Sequence, residues 1–128
     1  MLIPYVSVMG DIILSRQNQN VKIKHSESIL ECIEYMSNNL DNKITVEDLA
    51  EMCFFSKAQF TRIFKKYTGA SPYDYLIKLR INRAKRFLIE TDLSLEEISS
   101  YTGFNGASHF IACFKKHENT TPYKYKNR

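Results

Sequence analysis

From Ser26 onward the apolar positions of this 128-residue chain recur at three- and four-residue intervals, the signature of amphipathic helices. In one segment Phe60, Ile63 and Phe64 form the apolar stripe. In another, Leu76, Leu79, Ala84, Phe87 and Leu88 share one broad face. Short runs such as "FLIE" sit inside this periodicity, and the region carries no strand pattern. Residues 1–14, "MLIPYVSVMGDIIL", are apolar without a clean period. Pro4 and Gly10 argue against a long regular helix there, and the polar stretch 15–25, with His25 at its end, reads as a linker.

Helix starts are marked by hydroxyl side chains. "SILE" (Ser28, Glu31), "SKAQ" (Ser56, Gln59) and "SLEE" (Ser94, Glu97) have the form of capping boxes, and "TVED" (Thr45, Asp48) is a weaker version. Ser71–Pro72 and Thr121–Pro122 set a cap before a proline at the first helical position, where its missing N–H costs nothing. Asn105 is the candidate cap for one more helix. Gly69, and Asn119 at the matching place, supply left-handed C-terminal residues. The spacing predicts an all-α chain of about seven helices, near 28–40, 46–53, 56–68, 72–90, 95–102, 106–118 and 122–127.

The pattern also repeats. "FKKYTGASPYDY" from Phe64 returns as "FKKHENTTPYKY" from Phe114. Upstream, Leu49 matches Ile98 and Phe55 matches Phe104 at an offset of 49, whereas Phe60 matches Phe110 at 50. The second copy therefore has one extra residue in its turn. Each copy is a short helix, a tight turn, a second helix and a proline-started helix, an arrangement that suits a helix-turn-helix. The expected division is an N-terminal segment, 1–27, and a helical domain, 28–127. The latter has helix-turn-helix units at 46–68 and 95–118, joined by a long helix at 72–90.

Charge sharpens this picture. Residues 1–55 carry four bases and eight acids, net −4; residues 56–128 carry fourteen bases and six acids, net +8. A basic part beginning where the repeat begins suggests a polyanion such as nucleic acid, with a solvated lysine-rich surface as the plain alternative. Hydrophobic content of 44% and charged content of 25% fit an ordered globular chain. Three cysteines without paired spacing, no leader-like N-terminus and no membrane-length apolar run point to the cytoplasm.

Over residues 28–127 the sequence resembles the DNA-binding domain of the AraC/XylS family of bacterial transcription regulators. Arg80, Ile81, Ala84, Phe87, Leu88, Gly103, Phe104, Ser108, Phe110, Phe114, Lys115, Thr121, Pro122 and Tyr125 fall on the family pattern. Ser99 stands where alanine is usual and Asn119 where glycine is usual. The resemblance implies two helix-turn-helix subdomains joined by a long central helix, a role as a transcription regulator or activator, and double-stranded DNA and RNA polymerase as partners. Family members usually carry a sensing or dimerisation domain ahead of this one, and about 27 residues are too few for it. Whether the chain is a fragment or a stand-alone domain stays open, as do its operator and effector. Two reading helices in one chain make a monomer sufficient.

The helical period assigns the outward faces. Opposite Phe60, Ile63 and Phe64 lie Lys57, Ala58, Thr61, Arg62 and Lys65. Fifty residues on, opposite Phe110, Cys113 and Phe114, lie Ala107, Ser108, Ile111, Ala112 and Lys115, with His109 bordering the face. Lys57, Ala58, Thr61, Arg62, Ala107, Ser108, His109, Ile111 and Ala112 are the candidate base contacts; Lys65, Lys66, Lys115 and Lys116 are candidate phosphate contacts. Arg62 can fork to guanine O6 and N7, whereas Ala112, its counterpart, can only fit shape or a thymine methyl.

Other signals are weaker. Cys113 and His117 are four apart, but no second ligand pair accompanies them, so no metal or other cofactor is expected. Cys32, Cys53 and Cys113 read as core thiols, and Tyr73, Tyr75, Tyr123 and Tyr125 as packed rings with outward hydroxyls. Adjacent Glu96 and Glu97 suit the start of a helix. With no Gly-rich phosphate loop and no Ser/His/Asp arrangement, an enzyme is disfavoured. A protein-interaction module that has lost DNA binding is the other alternative, and the retained bases on both reading helices count against it.

Overall fold

The computed structural model describes residues 10–127, with side chains from Lys24 onward. Among these residues there are seven helices and no strand: α1 Gly10–Asn38, α2 Val46–Met52, α3 Lys57–Thr68, α4 Pro72–Glu90, α5 Leu95–Tyr101, α6 Ala107–Glu118 and α7 Pro122–Lys126. The all-α expectation holds, and six of the seven predicted helices lie within two residues of their expected limits.

The first helix differs. It starts at Gly10 and runs for 29 residues, so the stretch read as a linker is helical and Gly10 is its first residue. No Pro or Gly occurs between Asp11 and Asn38, and Arg, Gln and Lys are good helix formers, so nothing in this stretch stops the helix. Ser28 therefore lies inside α1 and caps nothing. The part of residues 1–14 before Gly10, with Pro4, lies outside the described residues.

The other starts follow hydroxyl chemistry. Thr45, Ser56, Ser71, Ser94 and Thr121 each accept a hydrogen bond from the backbone N–H three residues on. The reciprocal bond from the third residue forms at Ser94, where Glu97 Oε1 accepts from the Ser94 N–H at 3.0 Å. α6 departs from expectation. Its N-cap is Gly106, not Asn105, and no side-chain cap bond comes from that residue. Asn105 is instead the extra residue of the second turn.

Two buried clusters form. Ile29, Cys32, Met36 and Leu40 from α1 and the turn after it meet Leu49, Phe60, Phe64 and Leu76. Ile77, Ile81, Ala84 and Leu88 from α4 meet Ile98, Phe104, Phe110 and Phe114. α4 thus gives Leu76, with Tyr75 and Leu79 beside it, to one core and Ile77, Ile81, Ala84 and Leu88 to the other. Arg83 ties α4 back to α1 through the Ser37 carbonyl at 3.1 Å. Lys85 pairs with Glu118 of α6 at 3.1 Å.

The repeat holds in three dimensions. From Phe60 to Tyr75, each residue has the same degree of burial as the residue fifty places later, except that Ile63 is buried and Cys113 only half-buried. Cys113 thus lies at the margin of the core rather than in it, unlike Cys32 and Cys53. Burial raises all three thiols above the ordinary range, Cys32 to about 12. The ring edge of Tyr75 meets Phe64 at 5.4 Å between centroids, and that of Tyr125 meets Phe114 at 5.5 Å. Tyr73 and Tyr123, expected to pack likewise, are exposed because they lie on the opposite side of their helices. Gly69 and Asn119 end α3 and α6 in the left-handed region, at φ 83° and 57°.

Two positions break the correspondence. Phe54 occupies the left-handed region at φ 60°, where its counterpart is Gly103 at φ 84°, and its side chain is 95% exposed. Ser99, the counterpart of Ala50, is buried and its hydroxyl has no hydrogen-bond partner. A non-glycine left-handed residue costs ~1–2 kcal/mol, and a buried unpartnered hydroxyl ~1–3 kcal/mol. Exchanging each for its counterpart, Phe54→Gly and Ser99→Ala, is expected to raise unfolding free energy by ~1 kcal/mol apiece, measured by urea titration. The glycine's added unfolded-state entropy keeps the first gain at the low end.

Candidate nucleic-acid interface

α3 and α6 are the second helices of their units, and each is fixed from beneath by rings. Phe60 and Phe64 are fully buried under α3, and Phe110 and Phe114 under α6. A helix held by two rings a turn apart cannot rotate without opening its core, so the opposite face is set. On α3, Lys57, Ala58, Arg62, Lys65 and Lys66 are exposed and Thr61 is half-buried. On α6, Ser108, Ala112, Lys115 and Lys116 are exposed, and Ala107, His109 and Ile111 are half-buried.

The acid at one matching position of each first helix ties it to the second helix. In the first unit Glu47 Oε2 accepts from Lys57 Nζ at 2.9 Å. In the second unit its counterpart Glu96 accepts from the Ala107 backbone N–H at 3.2 Å, meeting a donor that Gly106 leaves uncapped. One acid therefore does two jobs, depending on whether a lysine or an alanine follows the turn. Neither acid was marked as functional by its sequence, although their equivalent places in the repeat were the available signal. The Lys57 pair is exposed on both sides, and such pairs hold a side chain weakly, so Lys57 remains able to exchange its carboxylate for another anion.

His109 is turned toward the loop before its own helix. Its Nδ1 lies 3.5 Å from the Asn105 N–H, and its ring meets Phe104 edge-on at 5.5 Å. It lines the cleft between the units with Arg80 and Tyr73. Lys65 and Lys66, and Lys115, Lys116 and His117, occupy the last turns of α3 and α6, where positive charge suits the helix dipole. His117 Nδ1 pairs with the Cys113 carbonyl at 3.0 Å. Among the described residues no three His, Cys, Asp or Glu side chains come together as a metal site. No described helix is long and apolar enough to cross a membrane.

Lys78 apart, which is exposed, the bases of α4 and those of the two second helices differ in availability. Arg80, Arg83, Lys85 and Arg86 are engaged with carbonyls or carboxylates of the chain itself. Arg62, Lys65, Lys115 and Lys116 have no ion-pair partner among the described residues, and all four are exposed.

A helix-turn-helix domain family matches residues 49–128, which takes in the second unit and all but the first three residues of the first. The chain belongs to the AraC/XylS family of DNA-binding domains found in transcription regulators. It is 34% identical over 107 residues to the bifunctional transcriptional activator/DNA repair enzyme AdaA of Bacillus subtilis, covering 84% of this chain and 51% of that protein. It is 32% identical over 112 residues to the transcriptional regulator GbdR of Pseudomonas aeruginosa, covering 84% of this chain and 30% of that one. The chain thus spans about half or less of these relatives. Its fold matches an AraC-type regulator from Chromobacterium violaceum with a TM-score of 0.73 at 30% identity, over 80% of this chain and 91% of that one. It also matches the DNA-binding domain of AdpA, solved with a target DNA, with a TM-score of 0.75 at 27% identity, over 77% and 89% of the two chains.

The acids of this AraC/XylS domain report on its turns. The Lys57 ammonium holds the Glu47 carboxyl below the usual range, and the Ser94 N–H does the same for Glu97. A carboxylate with a lowered folded-state pKa contributes stability that is present above the ordinary glutamate value of about 4.3 and is lost as pH falls through the folded value. Carboxyl-carbon NMR titration is expected to find both groups titrating below that value. Lys57→Met is expected to return Glu47 toward it and leave Glu97 unchanged.

Proposed function

We propose that this domain binds double-stranded DNA sequence-specifically by placing α3 and α6 in successive major grooves, and so regulates transcription. The carrying observation is the matched burial register of α3 and α6, which gives both helices an outward face with unpaired bases. Lys57, Ala58, Thr61 and Arg62 are the base-reading side of the first unit; Ala107, Ser108, Ile111 and Ala112 are that of the second, with His109 at its margin. Lys65, Lys66, Lys115 and Lys116 neutralise phosphates.

α4 has 19 residues and at ~1.5 Å per residue is ~28 Å long, close to the ~34 Å of one duplex turn. This length supports two grooves on one face read by a single chain. A monomer on one operator, with RNA polymerase as its partner in the cytoplasm, follows from the same reading.

The units divide their labour. Both carry phosphate neutralisers, but the forked donor Arg62 belongs to the first unit and its counterpart in the second is Ala112. Arg62→Ala is expected to relax preference at one base pair at a cost of ~1–3 kcal/mol. Lys115→Ala is expected to weaken all sequences alike and reduce the slope of log affinity against log salt by about one. Ala112→Arg is expected to add a guanine preference in the second subsite. Site selection from random duplexes, followed by a salt series, tests all three. A flat salt dependence, or sharper selection by α6 than by α3, would overturn the assignment.

A further inference from the structure

We propose that Arg80 is a positioning residue that locks the two helix-turn-helix units at one relative orientation and thereby sets which half-site spacing the domain accepts. The inference rests on the two-groove reading above.

Three separate parts of the chain converge on this side chain. Arg80 lies on the inward face of α4, between Ile77 and Ile81, and is only 7% exposed. Its Nε donates to the Leu40 carbonyl at 3.1 Å, and its Nη2 to the Asn42 carbonyl at 3.0 Å. Leu40 belongs to the first core and Asn42 to the turn that leads into α2. The third part is the turn of the second unit. At Gly103 a Cβ would lie 2.7 Å from Arg80 Nε and 2.8 Å from its Cζ, and would collide with the Leu40 carbonyl oxygen. Gly103 is thus the close-approach point at which the second unit rests on the first, and Arg80 is what it rests against.

The choice of arginine is informative. Among the described residues no carboxylate pairs with Arg80, and burial lowers its pKa, so the charge brings a desolvation penalty that an apolar side chain of similar volume would avoid. What arginine adds is a planar fork that can hold two carbonyls two residues apart at a fixed distance and angle. That makes the loop after α1 rigid with respect to α4, and Gly103 then seats on a fixed surface. Elsewhere the units are held apart. The two apolar cores are separate, and an open cleft of about 490 Å³, walled by Lys43, Thr45, Tyr73, Asn105 and His109, lies between them. With few other restraints across that cleft, a fork at its floor is placed to control the angle between α3 and α6.

The test uses the full chain and two readouts. Residual dipolar couplings of the free protein are expected to fit one alignment tensor for α3 and α6 in wild type and two in Arg80→Met. On duplexes whose second subsite is moved by two base pairs, a rotation of about 70°, wild type is expected to lose about tenfold in affinity and Arg80→Met about twofold. Arg80→Lys, which keeps the charge but not the fork, is expected to fall between them and is the variant read should the methionine form fail to fold. A folded variant that still fits one tensor overturns the lock. Two tensors with unchanged spacing discrimination overturn its role in specificity. A wild type that fits one tensor but tolerates every spacing would instead overturn the two-groove reading and leave the lock standing.

Discussion

A helix of 19 residues has room for one inward stripe, and in α4 that stripe is divided. Leu76 is buried with Phe60 and Phe64 beneath α3, whereas Ile77, Ile81, Ala84 and Leu88 are buried with Phe110 and Phe114 beneath α6. Each second helix, α3 or α6, is therefore seated on a core that α4 helps to build. Each core moves with the part of α4 on which it packs, and close-packed rings tolerate little displacement within a core. α4 has its proline at the first turn and no glycine within it, so its sequence carries nothing that would break or kink the helix between the two cores.

On that frame the duplication has conserved geometry and released chemistry. The buried positions recur as Phe60 and Phe110, Phe64 and Phe114, Pro72 and Pro122. Several outward ones do not: Lys57 becomes Ala107, Thr61 becomes Ile111 and Arg62 becomes Ala112, although Lys65 and Lys66 recur as Lys115 and Lys116. Packing restricts volume at the first set, where even one methylene is felt. Solvent imposes no such restriction on the second set. Ala50 and Ser99, and Ile63 and Cys113, differ too, so the buried set is not untouched, but the loss of a guanidinium and a hydroxyl at Arg62 and Thr61 is what two copies would show when one scaffold serves two different surfaces. The contrast between Glu47, on a lysine, and Glu96, on a backbone N–H, is the same event at the next contact inward.

The sequence made legible those features that local chemistry decides. Five hydroxyl caps, two left-handed C-terminal residues and the ring stripes could be placed because each depends on residues within four positions of one another. The turn of the second unit could be counted one residue longer for the same reason. Features decided by distant residues were not legible. Asn105 looked like a cap because Asn is a good one, but a carboxylate eleven residues before Ala107 already serves that N–H. Ser28 looked like a start because the polar stretch before it was taken as a break, although polarity alone does not end a helix. Arg80 stood out only as a motif residue. That it spans forty positions to the Leu40 carbonyl required the fold.

The charge distribution shows the same limit. The +8 of residues 56–128 suggested one basic surface, yet part of it is internal wiring. Arg83 binds a carbonyl at the end of α1 and Arg80 carbonyls in the turn after it, Lys85 binds Glu118, and Lys126 lies 3.9 Å from Asp92 and 3.2 Å from the Thr91 carbonyl. These bases hold helices to one another and have less to offer a polyanion. Arg62, Lys65, Lys115 and Lys116 are free of such partners, as is Lys78 on α4, so the field presented outward is narrower than the composition implies, and part of it is aligned with the two faces that the rings hold in place. A net charge describes how strongly such a chain is drawn to a polyanion. The partition of its arginines and lysines between carbonyl, carboxylate and solvent determines where that attraction is directed.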